Sequence, residues 1–348
     1  MTDRNGPAED GRRGAGNEDR AAVFRHENLG ANVELAYAGI DTFLKGDHSD
    51  VGDVADVDAA VLGVPYDGAV SNRPGARYGP GAIRRASGWW AYLSEYKGGL
   101  TNMQTGRQVD FADLTVADCG DVPVFPMDAG RTAESITAHV ATVAERTLPV
   151  MLGGDHYCTF PAFEGFAAGT GLENVGFVQI DAHTDTVSES PVFGTDFHGS
   201  STNLIAESPY VDYDSVSQVG IRGYEAPEFF EFAEETGLSL HTMRDVEDRG
   251  IETVITEAVD AAAEGNDAVY VTVDVDAVDP SVAPGTGTPV PGGLSAQQAL
   301  RVVETLGTRE EVGMIDLMEV APDFDPTEGT ARLAAYLLVT FLERRFAE

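Results

Sequence analysis

The sequence predicts an α/β protein in which a mainly parallel sheet of roughly eight strands lies between two layers of helices. Three observations lead there. First, short apolar runs recur at 59–64, 114–117, 148–152, 175–180, 216–221, 238–241, 268–273 and 312–318. Runs this short and this predominantly apolar are the mark of parallel strands buried on both faces. Second, segments with helical spacing lie between them, at 132–146, 225–236, 251–263 and 295–306. Strand and helix alternating in this way build a sheet covered on both sides. Third, polar clusters directly follow or close several of the runs, so they sit at the carboxyl edge where open α/β sheets bind ligands.

Composition sets the frame. A chain of 348 residues that is 43% hydrophobic can bury a large core without covalent staples. The expected organisation is a flexible polar tail over residues 1–20, too poor in large apolar groups to repay the entropy of ordering, then one catalytic domain over 21–348. Two cysteines, Cys119 and Cys158, are too few for a disulfide framework. With no long apolar stretch and a polar start, the expectation is a cytoplasmic chain with no membrane partner. The net charge of −36 argues against nucleic acid. Only two lysines, Lys45 and Lys97, are present, and the acidic residues are dispersed. That pattern fits a solvated surface tolerated in salt, hence a salt-loving host, or a surface that is merely soluble.

Four clusters carry the chemistry: Gly153-Gly154-Asp155-His156, Asp181-Ala182-His183-Thr184-Asp185, Asp274-Val275-Asp276 and Glu319. Each has a plain structural reading by itself. Asp181 can cap a helix, Asp274 and Asp276 can close a turn before Asp279-Pro280, and His156 can be a loop histidine behind two glycines that allow close backbone approach. Extended alternation would aim Asp181, His183 and Asp185 to one side. Taken together they form a mixed set of oxygen and nitrogen ligands without thiolate, which suits Mn(II)-like ions better than structural zinc. Two ions would balance four aspartates, and such a pair, roughly 3.5–4 Å apart, lowers the pKa of water toward neutrality.

These motifs resemble the ureohydrolases, the family of arginases and agmatinases. The third is the most specific, running from Thr272-Val273-Asp274-Val275-Asp276-Ala277-Val278-Asp279-Pro280 through Pro284-Gly285-Thr286-Gly287 to Gly292-Gly293-Leu294. Weaker echoes are Gly63-Val64-Pro65-Tyr66-Asp67, the Arg73–Pro80 stretch and Asp316-Leu317-Met318-Glu319-Val320. The resemblance implies an arginase/deacetylase-like fold and two Mn2+ per subunit, with another divalent ion such as Ni2+ as the variant. Asp181 and Asp274 would bridge, His156 and Asp185 would complete one ion, and His183 and Asp276 the other. His198 would be the proton shuttle, Asp185 would help relay the proton, and Glu319 would pair with a small cationic guanidino substrate cut to urea and an amine. A homo-oligomer, trimer or hexamer, is also implied.

Two departures concern the substrate wall: Tyr157 stands where the family often has Ser, and Ser200 where it often has Thr. The segment 188–197 lacks the Ser-Gly-Asn element of arginases, and 37–44 resembles the opening of agmatinases and guanidinobutyrases. Agmatine is therefore the first expectation, with guanidinobutyrate or guanidine as the alternative. Trp89 and Trp90 are candidates for stacking on a cation, against the plainer role of helix packing. A metallophosphoesterase would order its motifs differently and carry an Asn-His pair, and a deacetylase would lack the loop at 285–293. An inactive metal-binding homologue is disfavoured by the complete ligand set.

Overall fold

The computed structural model describes residues 35–347. The tail expected at 1–20 lies outside them. Nine parallel strands form the central sheet: β1 (Asp47–His48), β2 (Ala59–Gly63), β5 (Val116–Asp121), β6 (Leu148–Leu152), β7 (Val175–Ile180), β8 (Val216–Ile221), β9 (Ser239–Thr242), β10 (Ala268–Asp274) and β11 (Val312–Met318). Their spatial order is β1-β5-β2-β6-β11-β10-β7-β8-β9. A small antiparallel ribbon, β3 (Leu100–Thr101) with β4 (Gln108–Val109), stands apart. The eight apolar runs all became strands. The ninth, β1, is two exposed polar residues at the sheet edge, where pairing with β5 comes from backbone geometry and leaves no hydrophobic trace. The run at 114–117 begins too early: the strand is Val116–Asp121, whose polar end is held by pairing on both sides.

Burial of both sheet faces explains why the runs are apolar at most positions rather than at every second one. Val61, Val150, Val178, Val271 and Ile315 face one layer, built from α1 (Gly79–Lys97), α6 (Met243–Arg249), α7 (Ile251–Ala263), α8 (Ala296–Gly307) and α9 (Gly329–Phe346). Leu62, Met151, Phe177, Tyr270 and Met314 face the other, built from α2 (Ala129–Ala144), α3 (Thr159–Thr170), α4 (Ser201–Ala206) and α5 (Phe229–Thr236). Each fully buried large side chain contributes roughly 1.5–3 kcal/mol, and on the second side Tyr270 packs among Phe163, Phe166 and Phe177 at 5.7–6.0 Å between ring centroids. The helix expected at 132–146 starts earlier, capped by the Asp128 carboxylate on Arg131 N–H, and that expected at 225–236 starts later, at Phe229. Helices α1, α3 and α9 carry no clear helical periodicity because small residues or apolar groups occupy most faces. In α3, Gly165 and Gly169 lie so close to α2 that a Cβ on either would meet the Thr137 or Ala141 carbonyl within 2.6 Å. No helix among the described residues is long and apolar enough to cross a membrane.

Candidate active site

Register brings the polar clusters to one level. In β10, Val273 pairs with Ile180 of β7 and Asp274 with Met318 of β11, while Leu152 of β6 pairs with Leu317. Asp181, Asp274, Glu319 and the turn after Leu152 thus leave four adjacent strands side by side. The ladder even continues past β6: Gly153 N–H donates to Leu317 O and Glu319 N–H to Gly154 O. The two glycines serve a different purpose from the expected approach to a metal. A Cβ at Gly154 would fall 1.7 Å from Tyr66 O and one at Gly153 2.0 Å from Met318 Sδ, so they seat the strand end against the β2 loop and β11.

Extended alternation aims Asp181 and Asp274 but not the residues after them. Past these two the chain turns, and the same local device acts twice: Asp181 Oδ1 accepts from His183 N–H and Asp274 Oδ1 from Asp276 N–H, each at 2.7 Å. The i, i+2 spacing is the spacing of these side-chain turns. Asp185 and Glu319 carry positive φ, 50° and 62°, a conformation that is unfavourable for non-glycine residues and concentrates at functional sites.

His156 Nδ1 lies 3.0 Å from Asp181 Oδ2, 3.0 Å from Asp185 Oδ2 and 3.3 Å from Asp274 Oδ2. His183 Nδ1 lies 3.1 Å from Asp276 Oδ2 and 3.6 Å from Asp181 Oδ1. Two groups have the geometry to hold an ion: His156, Asp181 and Asp274, and Asp181, His183 and Asp276. Asp181 belongs to both. Asp274 falls in the first alone, and Asp185 reaches the first through His156.

The donor set fits divalent ions. His156 Nδ1 is buried and, among the described residues, has no well-formed hydrogen bond although three carboxylates surround it. A lone pair aimed into a ring of oxygens is what a metal ligand presents. Electrostatics agree. Burial, then the charges of Asp276 and Asp181, push Asp274 well above the ordinary carboxylate range. Burial and Asp181 raise Asp276 to about 6. Burial alone would lower both histidines, but the carboxylates outweigh it and raise His156 well above its usual value and His183 to about 12. Protons here stand in for missing positive charge, which bound cations would supply instead.

His198 and Glu319 adjoin this cluster. Glu319 Oε1 accepts from His156 N–H at 3.0 Å and from His198 Nδ1 at 2.9 Å. No hydrogen bond to its Oε2 occurs among the described residues. Burial lowers His198, yet the Glu319 hydrogen bond and charge lift it to about 9. Ser71 opposes that rise: its N–H at 2.9 Å and hydroxyl at 2.6 Å both meet His198 Nε2, and a donating N–H favours a neutral ring with its proton on Nδ1. Ser71 was not foreseen, since nothing distinguishes a serine in a loop. Asp155, named in the first cluster but given no role there, is fully buried and raised to about 8 by burial and Glu319. It accepts from Ala69 N–H at 2.7 Å, and Ala69 O accepts from His198 N–H at 3.0 Å, so the β2 loop clasps the His198 turn.

The remaining candidates lie elsewhere. Trp90 stacks on Tyr336 of α9 at 5.1 Å, a helix-packing contact, whereas Trp89 is exposed and meets Tyr92 of its own helix at 5.7 Å. Tyr157 is buried in the apolar layer near Phe160 instead of forming a wall. Ser200 turns its hydroxyl to Phe197 O at 2.6 Å, and buried Cys158 rests 3.7 Å from Asp155 Oδ1.

Comparison with known proteins converges on this geometry. A family model described as the arginase family matches residues 57–343. The agmatinase of Chromobacterium violaceum is 36% identical over 322 residues, covering 92% of this chain and 93% of its own. Proclavaminate amidino hydrolase from Streptomyces clavuligerus superposes with a TM-score of 0.76 at 30% identity, over 90% of this chain and 99% of the other. A hypothetical agmatinase from Burkholderia thailandensis gives a TM-score of 0.76 at 32% identity, over 91% and 94%. With its parallel sheet, its carboxylate and histidine cluster at the strand ends and this likeness over nearly the whole sequence, the chain belongs to the arginase family.

Proposed function

We propose that this enzyme hydrolyses agmatine to urea and putrescine, using two manganese ions per subunit. The observation that carries the reading is Glu319, a buried carboxylate beside the ligand cluster with one oxygen committed to His156 and His198 and the other without a donor among the described residues. A guanidinium is planar and forks its N–H groups toward a carboxylate. Two further features favour a substrate without its own carboxylate. Arg73 gives its guanidinium to Thr286 O and Gly287 O, and Arg222 to Asp276 O, Ala277 O and Val290 O. Both spend donors on backbone carbonyls, and the site's surplus of carboxylates repels an acid.

In this reading His156, Asp185, Asp181 and Asp274 would hold one ion, and His183, Asp276, Asp181 and Asp274 the other. When bound, such a pair supplies an activated water at neutral pH. Glu319 holds the guanidinium with its central carbon facing that edge. Asp185 takes up the proton, and His198, poised between Ser71 and Glu319, delivers one to the departing amine. Nickel in place of manganese and guanidinobutyrate or guanidine in place of agmatine are the alternatives, and a trimeric or hexameric assembly, a cytoplasmic setting and a salt-adapted surface complete the proposal. The test is urea release by manganese-reconstituted protein in high salt from agmatine, guanidinobutyrate, guanidine and arginine. Agmatine should give the highest kcat/KM. Preference for arginine, or no urea from any of them, would overturn the reading.

A further inference from the structure

Beneath the ligand row runs a second row that is polar where the sheet is otherwise apolar. Register places Gln218 of β8 beside Gln179 of β7, Gln179 beside Thr272 of β10, and Thr272 beside Asp316 of β11. All four are buried. Because strand side chains alternate, this row lies on the same face as Asp181 and Asp274, one pleat deeper. Asp316 is the unusual member. It sits completely buried in the middle of a strand and forms no ion pair with Lys or Arg among the described residues. Its Oδ2 instead accepts from Tyr270 Oη at 2.6 Å and Thr159 Oγ1 at 2.9 Å, and Thr159 Oγ1 in turn lies 3.4 Å from Thr272 Oγ1. A buried carboxylate is costly unless its hydrogen bonds do something needed.

Thr272 Oγ1 also lies 2.9 Å from His156 Nε2. One direction satisfies every link of this chain. A carboxylate only accepts, so the Thr159 proton goes to Asp316, Thr159 Oγ1 accepts from the Thr272 hydroxyl, and the Thr272 oxygen is left to accept from His156 Nε2–H. The imidazole must then keep its lone pair on Nδ1, the atom facing Asp181, Asp185 and Asp274. Gln179 acts in parallel on the neighbouring ligand: its amide donates to Asp181 Oδ2 at 2.7 Å, while its oxygen is held by Thr202 Oγ1 at 2.7 Å and Gln218 Nε2 at 2.6 Å.

We infer that Asp316, acting through Thr159 and Thr272, is a positioning residue that locks the His156 ring and its tautomer for metal binding. The inference rests on the metal reading above. Outer partners of this kind alter metal affinity roughly 10–100-fold. The experiment is calorimetric titration of metal-free wild type, Thr272→Val, Thr272→Ser and Asp316→Asn with Mn2+, with the melting temperature of each metal-free protein recorded. Wild type should take two ions. Thr272→Val and Asp316→Asn should weaken one ion by 10–100-fold and leave the other near wild type, and Thr272→Ser, which keeps the hydroxyl, should restore tight binding. If Thr272→Val does not fold, the contrast between Asp316→Asn and Thr272→Ser carries the test. Two tight ions in Asp316→Asn, or a Thr272→Ser as weak as Thr272→Val, would overturn the inference while the metal reading stood. A wild type that takes up no divalent ion would overturn both.

Discussion

At the scale of single residues, Glu319 and His198 share one hydrogen bond but have separate tasks. Glu319→Gln keeps the shape and loses the charge that the guanidinium needs. A charge-assisted hydrogen bond contributes roughly 1.5–3 kcal/mol, so kcat/KM should fall by about one to two orders of magnitude while both ions remain. His198→Ala should slow turnover by roughly 10²–10⁴-fold, the usual scale for general acid–base catalysis, with partial rescue by added imidazole. Metal content and steady-state kinetics measured together check both. Loss of the ions from Glu319→Gln, or unchanged kinetics, would remove the substrate anchor. The same residues show how much of the site was legible. Every proposed ligand was legible because each is a charged or imidazole group stranded after an apolar run. Ser71 and Thr272 were not singled out, because a hydroxyl is common anywhere and its meaning comes from what stands opposite in space. Asp316 left a signal that could have been followed: a carboxylate inside a strand that is otherwise buried.

Among the elements, the loop from Val278 to Leu294 shows how a glycine- and proline-rich segment is held still beside a site. At one end Asp279 accepts from Ser281 N–H at 2.9 Å and Gly292 N–H at 2.7 Å. At the other, Gly285 N–H donates to Thr330 Oγ1 at 2.9 Å, and Thr330 donates N–H and O–H to Asp325 at 2.7 and 2.8 Å. The Ser281 and glycine hydrogen bonds hold Asp279 down to about 2. Burial would raise Asp325, but Thr327 and Thr330 outweigh it and bring it to about 2 as well. Folded values below the unfolded ones mean that this stabilisation is present above roughly pH 4, and it fades as pH falls toward 2. Asp325→Asn should therefore flatten the acid limb of stability between pH 4 and 2, read as melting temperature against pH. An acid limb identical to wild type would refute the clamp. Element boundaries were less legible than elements. The start of β5 and the edge strand β1 depend on backbone partners far along the chain, and α3 depends on glycines that matter only once α2 lies against them.

For the molecule as a whole, charge dominates. A net charge of −36 stores self-repulsion in the folded state, and the Debye length shrinks to roughly 3 Å at 1 M salt. The melting temperature should rise as KCl goes from low to molar concentration, and a flat or falling profile would reject salt adaptation. Strand order sets a second property of the whole. The chain forms β6 and β7 early, yet β11 and β10, the last two strands made, lie between them. A nascent polypeptide that has not yet delivered Asp274 and Asp276 has no central strands with which to bring His156 and Asp181 together, and two edges of its sheet stand unpaired. Capture of the proposed ions therefore has to wait until β10 and β11 have joined the sheet. In a chain cut short before β10 the His156 and Asp181 strand ends would stand apart, each beside a sheet edge open to mispairing.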